Sequence, residues 1–147
     1  MNKETQIEIK ELSTLGIVLT SNGELKGNMA VDSVSKILGE IRYTDEYQIA
    51  TFYSVENEIL FAHYSLKCYL TFRNDRLCTF WFFPTKIYEK EIIAKNRKSE
   101  SINLLNELVL KNGKKVKGRK YFRDFEHSLV NLEAVYDKKG KIVISFK

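Results

Sequence analysis

The spacing of apolar residues changes along the chain, from helical near residue 30 to alternating after residue 49. Residues 29–39 read MAVDSVSKILG, and Gly39 stands where a helix commonly ends. Three aliphatic residues of this stretch recur at i, i+3 and i+7: Val31, Val34 and Leu38. Asn28 precedes them as the expected N-cap. The pattern therefore predicts a short helix with one buried stripe.

Alternation after residue 49 predicts strands near 49–55, 58–64, 66–73 and 77–83. The clearest hairpin is LKCYLTF-RNDR-LCTFWFF, with its turn at Asn74 and Asp75. An unbroken register from that turn pairs Cys68 with Trp81. The face expected to form the core carries Cys68, Leu70, Phe72, Leu77, Thr79, Trp81 and Phe83. The other face carries Lys67, Tyr69, Thr71, Cys78, Phe80 and Phe82.

The two cysteines fall on opposite faces of this hairpin, so a disulfide between Cys68 and Cys78 is not expected. Two free thiols agree with a reducing compartment. The charged start of the chain, MNKETQIEIKELS, resembles neither a signal peptide nor a membrane anchor. The longest apolar run, around 80–83, is too short to cross a bilayer. We therefore expect a cytoplasmic protein that does not bind membranes.

A similar order of signals occurs twice. SNGELKG at 21–27 and NGKKVKG at 112–118 each follow a short apolar run, the second of them at 108–110. After the second motif, three apolar residues again have helical spacing: Phe122, Phe125 and Leu129. The end of the chain, LEAVY-DKKGK-IVISF, predicts a hairpin in which Asp137 pairs with Lys141 and Gly140 takes a left-handed conformation.

These elements predict an α+β fold of two tandem strand–helix–β-hairpin units, which form an antiparallel sheet with the helices packed on one face. We expect one compact domain over residues 1–147, with unit one at 12–84 and unit two at 102–147. Between them, 85–101 is a charged connector in which Thr85 could cap a short helix. The alternative for its first part, KIYEKEII, is a strand.

The net charge of +5 is concentrated in one block. Residues 1–84 sum to −3 (8 basic, 11 acidic), whereas 85–123 sum to +8 (12 basic, 4 acidic). The densest part, 111–123, contains Lys114, Lys115, Lys117, Arg119 and Lys120. Such a block could bind an acidic protein surface or nucleic acid, with Tyr121 and Phe122 available for base stacking. The alternative is a solvated face without a partner.

The sequence does not favour an enzyme, and no cofactor or metal is expected. His63 and His127 are the only histidines, and no metal-ligand spacing, phosphate-binding loop or nucleophile motif is present. On the second hairpin face, Tyr69, Phe80 and Phe82 form an aromatic row. Exposed aromatic rows are typical of protein-binding surfaces, although another layer of the fold could cover this one.

The motif VSKILG, preceded by LKG and followed by an antiparallel meander, resembles the repeat unit of the beta-lactamase inhibitor protein-like fold. Tandem copies are similar to the inhibitor itself and to small bacterial proteins that look like toxin-immunity proteins. The resemblance implies binding to another protein without chemistry. The predicted function is therefore an immunity or inhibitor protein that occludes a toxin or enzyme with an acidic surface; the alternative is a nucleic-acid-associated module that uses 111–123. The predicted contact residues are Tyr69, Phe80, Phe82, Lys114, Lys115, Lys117, Arg119 and Lys120.

Overall fold

A computed structural model describes residues 6–13, 17–110, 122–124, 130–135 and 140–146 of the chain. The helices are α1 (Val31–Leu38), α2 (Arg97–Leu110) and a 3-10 turn, η1 (Ala94–Asn96). The first strands are β1 (Ile7–Leu12), β2 (Val18–Thr20), β3 (Gly23–Leu25), β4 (Ile41–Tyr47), β5 (Ala50–Val55) and β6 (Ile59–Phe61). The later strands are β7 (Tyr64–Arg73), β8 (Arg76–Ile87), β9 (Lys90–Glu91), β10 (Phe122–Asp124), β11 (Val130–Val135) and β12 (Lys141–Phe146). The predicted α+β class is confirmed.

All of these strands belong to one sheet, in which the long strands β7 and β8 are central. Its main path runs β10-β11-β12-β8-β7-β6-β1-β2-β3, and the hairpin β4–β5 joins β7 through β5. The pair β1–β6 is parallel and the other strand pairs are antiparallel. The strand β1 was not predicted from the sequence, although Ile7, Ile9 and Leu12 are buried along it. Its alternation with charged residues is the missed signal.

The first predicted helix is confirmed as α1, but its N-cap is wrong. Ala30, with an extended backbone, occupies the cap position without a side-chain hydrogen bond, whereas Asn28 has a φ of 69°. At the other end, Gly39 has a φ of 85° and its N–H donates to Ser35 O. The amide of Asn22 donates to two carbonyls of the last turn, at 3.2 Å to Lys36 O and 3.1 Å to Ile37 O. The first Asn-Gly motif therefore turns the chain and caps α1.

The β7–β8 hairpin has the predicted turn but a different register. Asn74 and Asp75 both have positive φ, as a tight two-residue turn requires. Arg73 pairs with Arg76 as expected, but a bulge then inserts Cys78 as an extra residue in β8. Beyond the bulge, Cys68 pairs with Phe82 instead of Trp81. Because one extra residue inverts the alternation, every β8 side chain beyond Cys78 lies on the face opposite to the predicted one.

The charged connector is part strand and part helix. Pro84 does not end the hairpin, since β8 continues to Ile87 with Thr85 as the extra residue of a second bulge. Thr85 therefore lies in a strand and caps no helix; its hydroxyl donates to Ser65 O at 3.1 Å. Tyr88 and Glu89 form a left-handed turn into β9. The alternative strand interpretation of KIYEKEII is thus the correct one for residues up to 91.

The second unit differs from the first where the structure describes it. Leu108 and Leu110 belong to α2, so the expected strand before NGKKVKG is helical. Phe122 lies in β10 instead of a second helix. The C-terminal hairpin is confirmed as a hairpin, but Val135 pairs with Lys141 where Asp137 was expected. This shift by two residues keeps the predicted face, and Ile142 and Ile144 are buried on it.

One contiguous hydrophobic cluster contains side chains from both helices and from the sheet. Among its completely buried members are Val34 and Leu38 of α1, Leu104 and Leu105 of α2, and Phe80 of β8. The chain after β3 returns to β8, because Asn28 N–H donates to Leu77 O and Leu77 N–H donates to Met29 O, both at 2.9 Å. This return segment therefore lies beside the start of β8.

Candidate functional site

The sheet face that points away from the core carries the candidate site, which we call the outer aromatic face. Cross-strand pairing places Tyr69 beside Trp81, and Trp81 beside Val143. Eleven residues of β5, β7, β8 and β12 share this face: Phe52, Ser54, Lys67, Tyr69, Thr71, Thr79, Trp81, Phe83, Lys141, Val143 and Ser145. Most of them are half-buried; only Ser54 and Phe83 are buried.

Two aromatic rings and an ammonium group form a stack at the centre of this face. The ring centroids of Tyr69 and Trp81 are 4.2 Å apart, with an angle of 12° between the ring planes. The Lys141 Nζ lies 4.4 Å from the centroid of Trp81. Phe83 extends the cluster, since its centroid is 6.2 Å from that of Tyr69 at an angle of 23°.

Both faces of the indole are covered within the protein itself. Tyr69 belongs to β7 and Lys141 to β12, the two strands that flank β8, so the two side chains approach Trp81 from opposite sides. The stack is therefore pre-organised, and it presents the edges of the two rings outward. Aromatic pairing and cation–π contact each contribute about 0.5–1.5 kcal/mol, so a partner meets rings that are already ordered.

The outer aromatic face carries two lysines, Lys67 and Lys141. The Glu56 carboxylate, at the end of β5, contacts Ser54 of this face, and Arg42 together with Lys67 holds the pKa of Glu56 below its usual value. Lys67 is held in place because its Nζ donates to Val55 O at 3.0 Å and lies 5.6 Å from the centroid of Tyr69. Burial raises the pKa of the Tyr69 hydroxyl, which therefore stays neutral at physiological pH. Lys67 is thus fixed between the Val55 carbonyl, the Tyr69 ring and the Glu56 carboxylate.

Of the three predicted contact residues that the structure describes, Tyr69 alone lies on the outer aromatic face. Phe80 and Phe82 are wrong, because the bulge at Cys78 turns them into the core, where their side chains are 0% and 1% exposed. The predicted basic residues Lys114, Lys115, Lys117, Arg119 and Lys120 lie outside the described residues. The structure thus replaces Phe80 and Phe82 with Trp81, which the sequence had placed in the core.

The remaining candidates for chemistry are structural in the described part of the chain. Cys68 is fully buried, and burial raises the pKa of its thiol far above the usual range, so it is not a nucleophile. His63 is stacked between Tyr64 and Tyr88, at centroid distances of 4.5 and 4.7 Å. Among the described residues, no group of three or more His, Cys, Asp or Glu could hold a metal ion. Both cysteines are free, as predicted.

The comparisons give no relative for this chain. Searches against protein-family models, curated proteins and solved structures find no match. Within the described ranges, neither helix has the length and apolar composition needed to cross a bilayer. The outer aromatic face and the charge distribution are therefore the features of the molecule that bear on its function.

Proposed function

We propose that this chain is a non-enzymatic protein-binding module that occludes a partner with an acidic surface, as an immunity or inhibitor protein does. The observation that carries the proposal is the pre-organised stack of Lys141, Trp81 and Tyr69 on the outer aromatic face. Tryptophan and tyrosine are, with arginine, the residues that most often dominate the affinity of protein interfaces. Because the rings are already ordered, little side-chain entropy is lost on binding.

The same stack argues against nucleic acid as the main ligand of this face. Base stacking requires an uncovered ring face, and both faces of Trp81 are covered by Tyr69 and Lys141. A protein surface can instead pack against the half-buried side chains of this face as a whole. The nucleic-acid function through 111–123 stays an alternative prediction, and so does the resemblance to the beta-lactamase inhibitor protein-like family.

Site-specific photo-cross-linking in the native cells tests the proposal. A photoreactive amino acid at Thr79 or Val143, both half-buried on the outer aromatic face, should yield one discrete protein adduct. The same group at Lys36, on α1, is the control and should yield none. The proposal predicts that the captured protein has an acidic surface. Adducts to RNA, or equal adducts from Lys36, would contradict it.

A nucleic-acid titration separates the two functions. Fluorescence anisotropy with a labelled 30-nucleotide single strand should show no binding that depends on Trp81. If the alternative is correct, affinity should instead be high at low salt and fall steeply as salt is added. Binding that is lost in Trp81→Ala would assign the outer aromatic face to nucleic acid.

A further inference from the structure

The hairpin β4–β5 has a charge opposite to that of the rest of the chain. Residues 40–58 contain five acidic residues and one basic residue, a net charge of −4, so the remaining residues of this +5 chain sum to +9. The one basic residue, Arg42, forms an ion pair with Glu56, and its Nε lies 2.9 Å from a carboxylate oxygen. Asp45 and Glu46 are exposed near the tip of the hairpin. The hairpin is therefore a local acidic surface on a basic protein.

Large apolar side chains of this hairpin are also exposed. Tyr43, Tyr47 and Ile49 are 51%, 68% and 58% exposed. Tyr43 is nevertheless ordered, because its ring contacts Tyr53 edge-to-face at 6.0 Å, and Tyr53 contacts the buried Phe72 at 5.3 Å. A chain of rings thus joins the exposed edge to the core. Exposed aromatic residues that are rigidly supported are typical of binding surfaces.

The strand β4 is an edge of the sheet within the described part of the chain, where it pairs with β5 alone. The Glu56 N–H donates to Glu40 O at 3.0 Å, so Glu40 is a residue whose backbone bonds to the neighbouring strand. Along an antiparallel strand such residues alternate with residues whose backbone groups point to the other side. In that alternation the backbone groups of Ile41 and Tyr43 point away from β5. An added strand would find donors and acceptors there, at Ile41 and Tyr43.

We infer that the β4 edge binds an extended, basic segment of a partner protein by strand addition. Backbone hydrogen bonds would form along β4, and lysine or arginine side chains would lie beside Asp45 and Glu46. A second copy of this chain is disfavoured as the occupant, because the exposed Asp45 and Glu46 of two paired hairpins would repel each other.

The inference is independent of the outer aromatic face, and a peptide tests it. The probe is an eight-residue peptide of alternating lysine and valine, blocked at both ends and titrated into the isotope-labelled full chain. We expect amide resonances of Ile41–Tyr47 to shift, and we expect binding to vanish when alternate valines of the peptide are N-methylated. Trp81→Ala should leave the affinity for this peptide unchanged.

Charge reversal supplies the decisive comparison. The double variant Asp45→Lys with Glu46→Lys should bind the peptide about tenfold more weakly, or weaker still. The matched control, Glu24→Lys with Glu89→Lys, reverses two exposed carboxylates elsewhere and should change the affinity less than about twofold. Equal weakening by both pairs, shifts confined to other strands, or undiminished binding of the N-methylated peptide would overturn the inference. A concentration-dependent dimer that Asp45→Lys with Glu46→Lys abolishes would also overturn it, because the occupant would then be a second copy.

Discussion

Truncating Phe80 should destabilise the fold far more than truncating its neighbour Trp81. The Phe80 side chain is completely buried, and its ring lies 5.4 Å from that of Phe82. Phe→Ala changes at such sites cost about 3–5 kcal/mol in the free energy of unfolding. Trp81→Ala removes one ring pair and one cation–π contact, which together contribute about 1–3 kcal/mol beyond the partial burial of the indole, and it leaves no closed cavity because the position is half-buried.

Urea denaturation followed by circular dichroism measures both variants with one signal, which is necessary because Trp81 is the only tryptophan. The free energy of unfolding falls by about 1–3 kcal/mol per molar urea, so Phe80→Ala should lower the urea concentration at the unfolding midpoint by more than about 1 M. Phe82→Ala should resemble Phe80→Ala. If Trp81→Ala instead costs as much as Phe80→Ala or more, β8 lacks the bulge at Cys78 and the assignment of the two faces is wrong.

Two further predictions concern a turn and a buried hydroxyl. Gly140→Ala should lower the free energy of unfolding by about 1 kcal/mol or more in the same assay, because Gly140 has a φ of 67° and an added Cβ would collide with the Ser101 side chain and lie 2.9 Å from Arg97 O; an unchanged midpoint would contradict this geometry. Burial, with the nearby Glu100 and Glu107 carboxylates, raises the pKa of Tyr64 from 10.0 to about 12. Because Tyr64 stays protonated to a higher pH in the folded protein than in the unfolded one, its contribution to the free energy of unfolding is complete below pH 10 and is lost between pH 10 and 12. Urea titrations across that range should show a smaller loss for Tyr64→Phe, and an identical loss would refute the assignment.

The sequence predicted the strands and turns that depend on local signals. The Asn74–Asp75 turn, α1 with Gly39, and the left-handed Gly140 all follow from conformations that few residues tolerate. The faces of β8 could not be predicted in the same way, because LCTFWFF has apolar residues in both registers. The bulge at Cys78 is selected by packing, since it places Phe80 and Phe82 in the core and lets Trp81 stack on Tyr69.

The second unit was misjudged for a different reason. A short apolar run fits a strand and a buried helix equally well, and the strand expected at 108–110 rests on the similarity of this segment to the first unit. The structure instead extends α2 from Arg97 through this run, with Leu104, Leu105 and Leu108 buried at helical spacing. The candidate site depended on the same long-range packing, because Lys141 reaches Trp81 only through the pairing of β12 with β8.

The affinity of the photo-cross-linked partner for Trp81→Ala tests the central claim most directly. Isothermal titration of the purified partner should show about 30-fold weaker binding, the effect of losing a central anchor of about 2 kcal/mol. Tyr88→Ala is the matched control, because Tyr88 is an aromatic residue 73% exposed and off the outer aromatic face; its affinity should stay within about twofold of the unmodified chain. Equal affinities for Trp81→Ala and the unmodified chain would contradict the proposal that this face binds the partner.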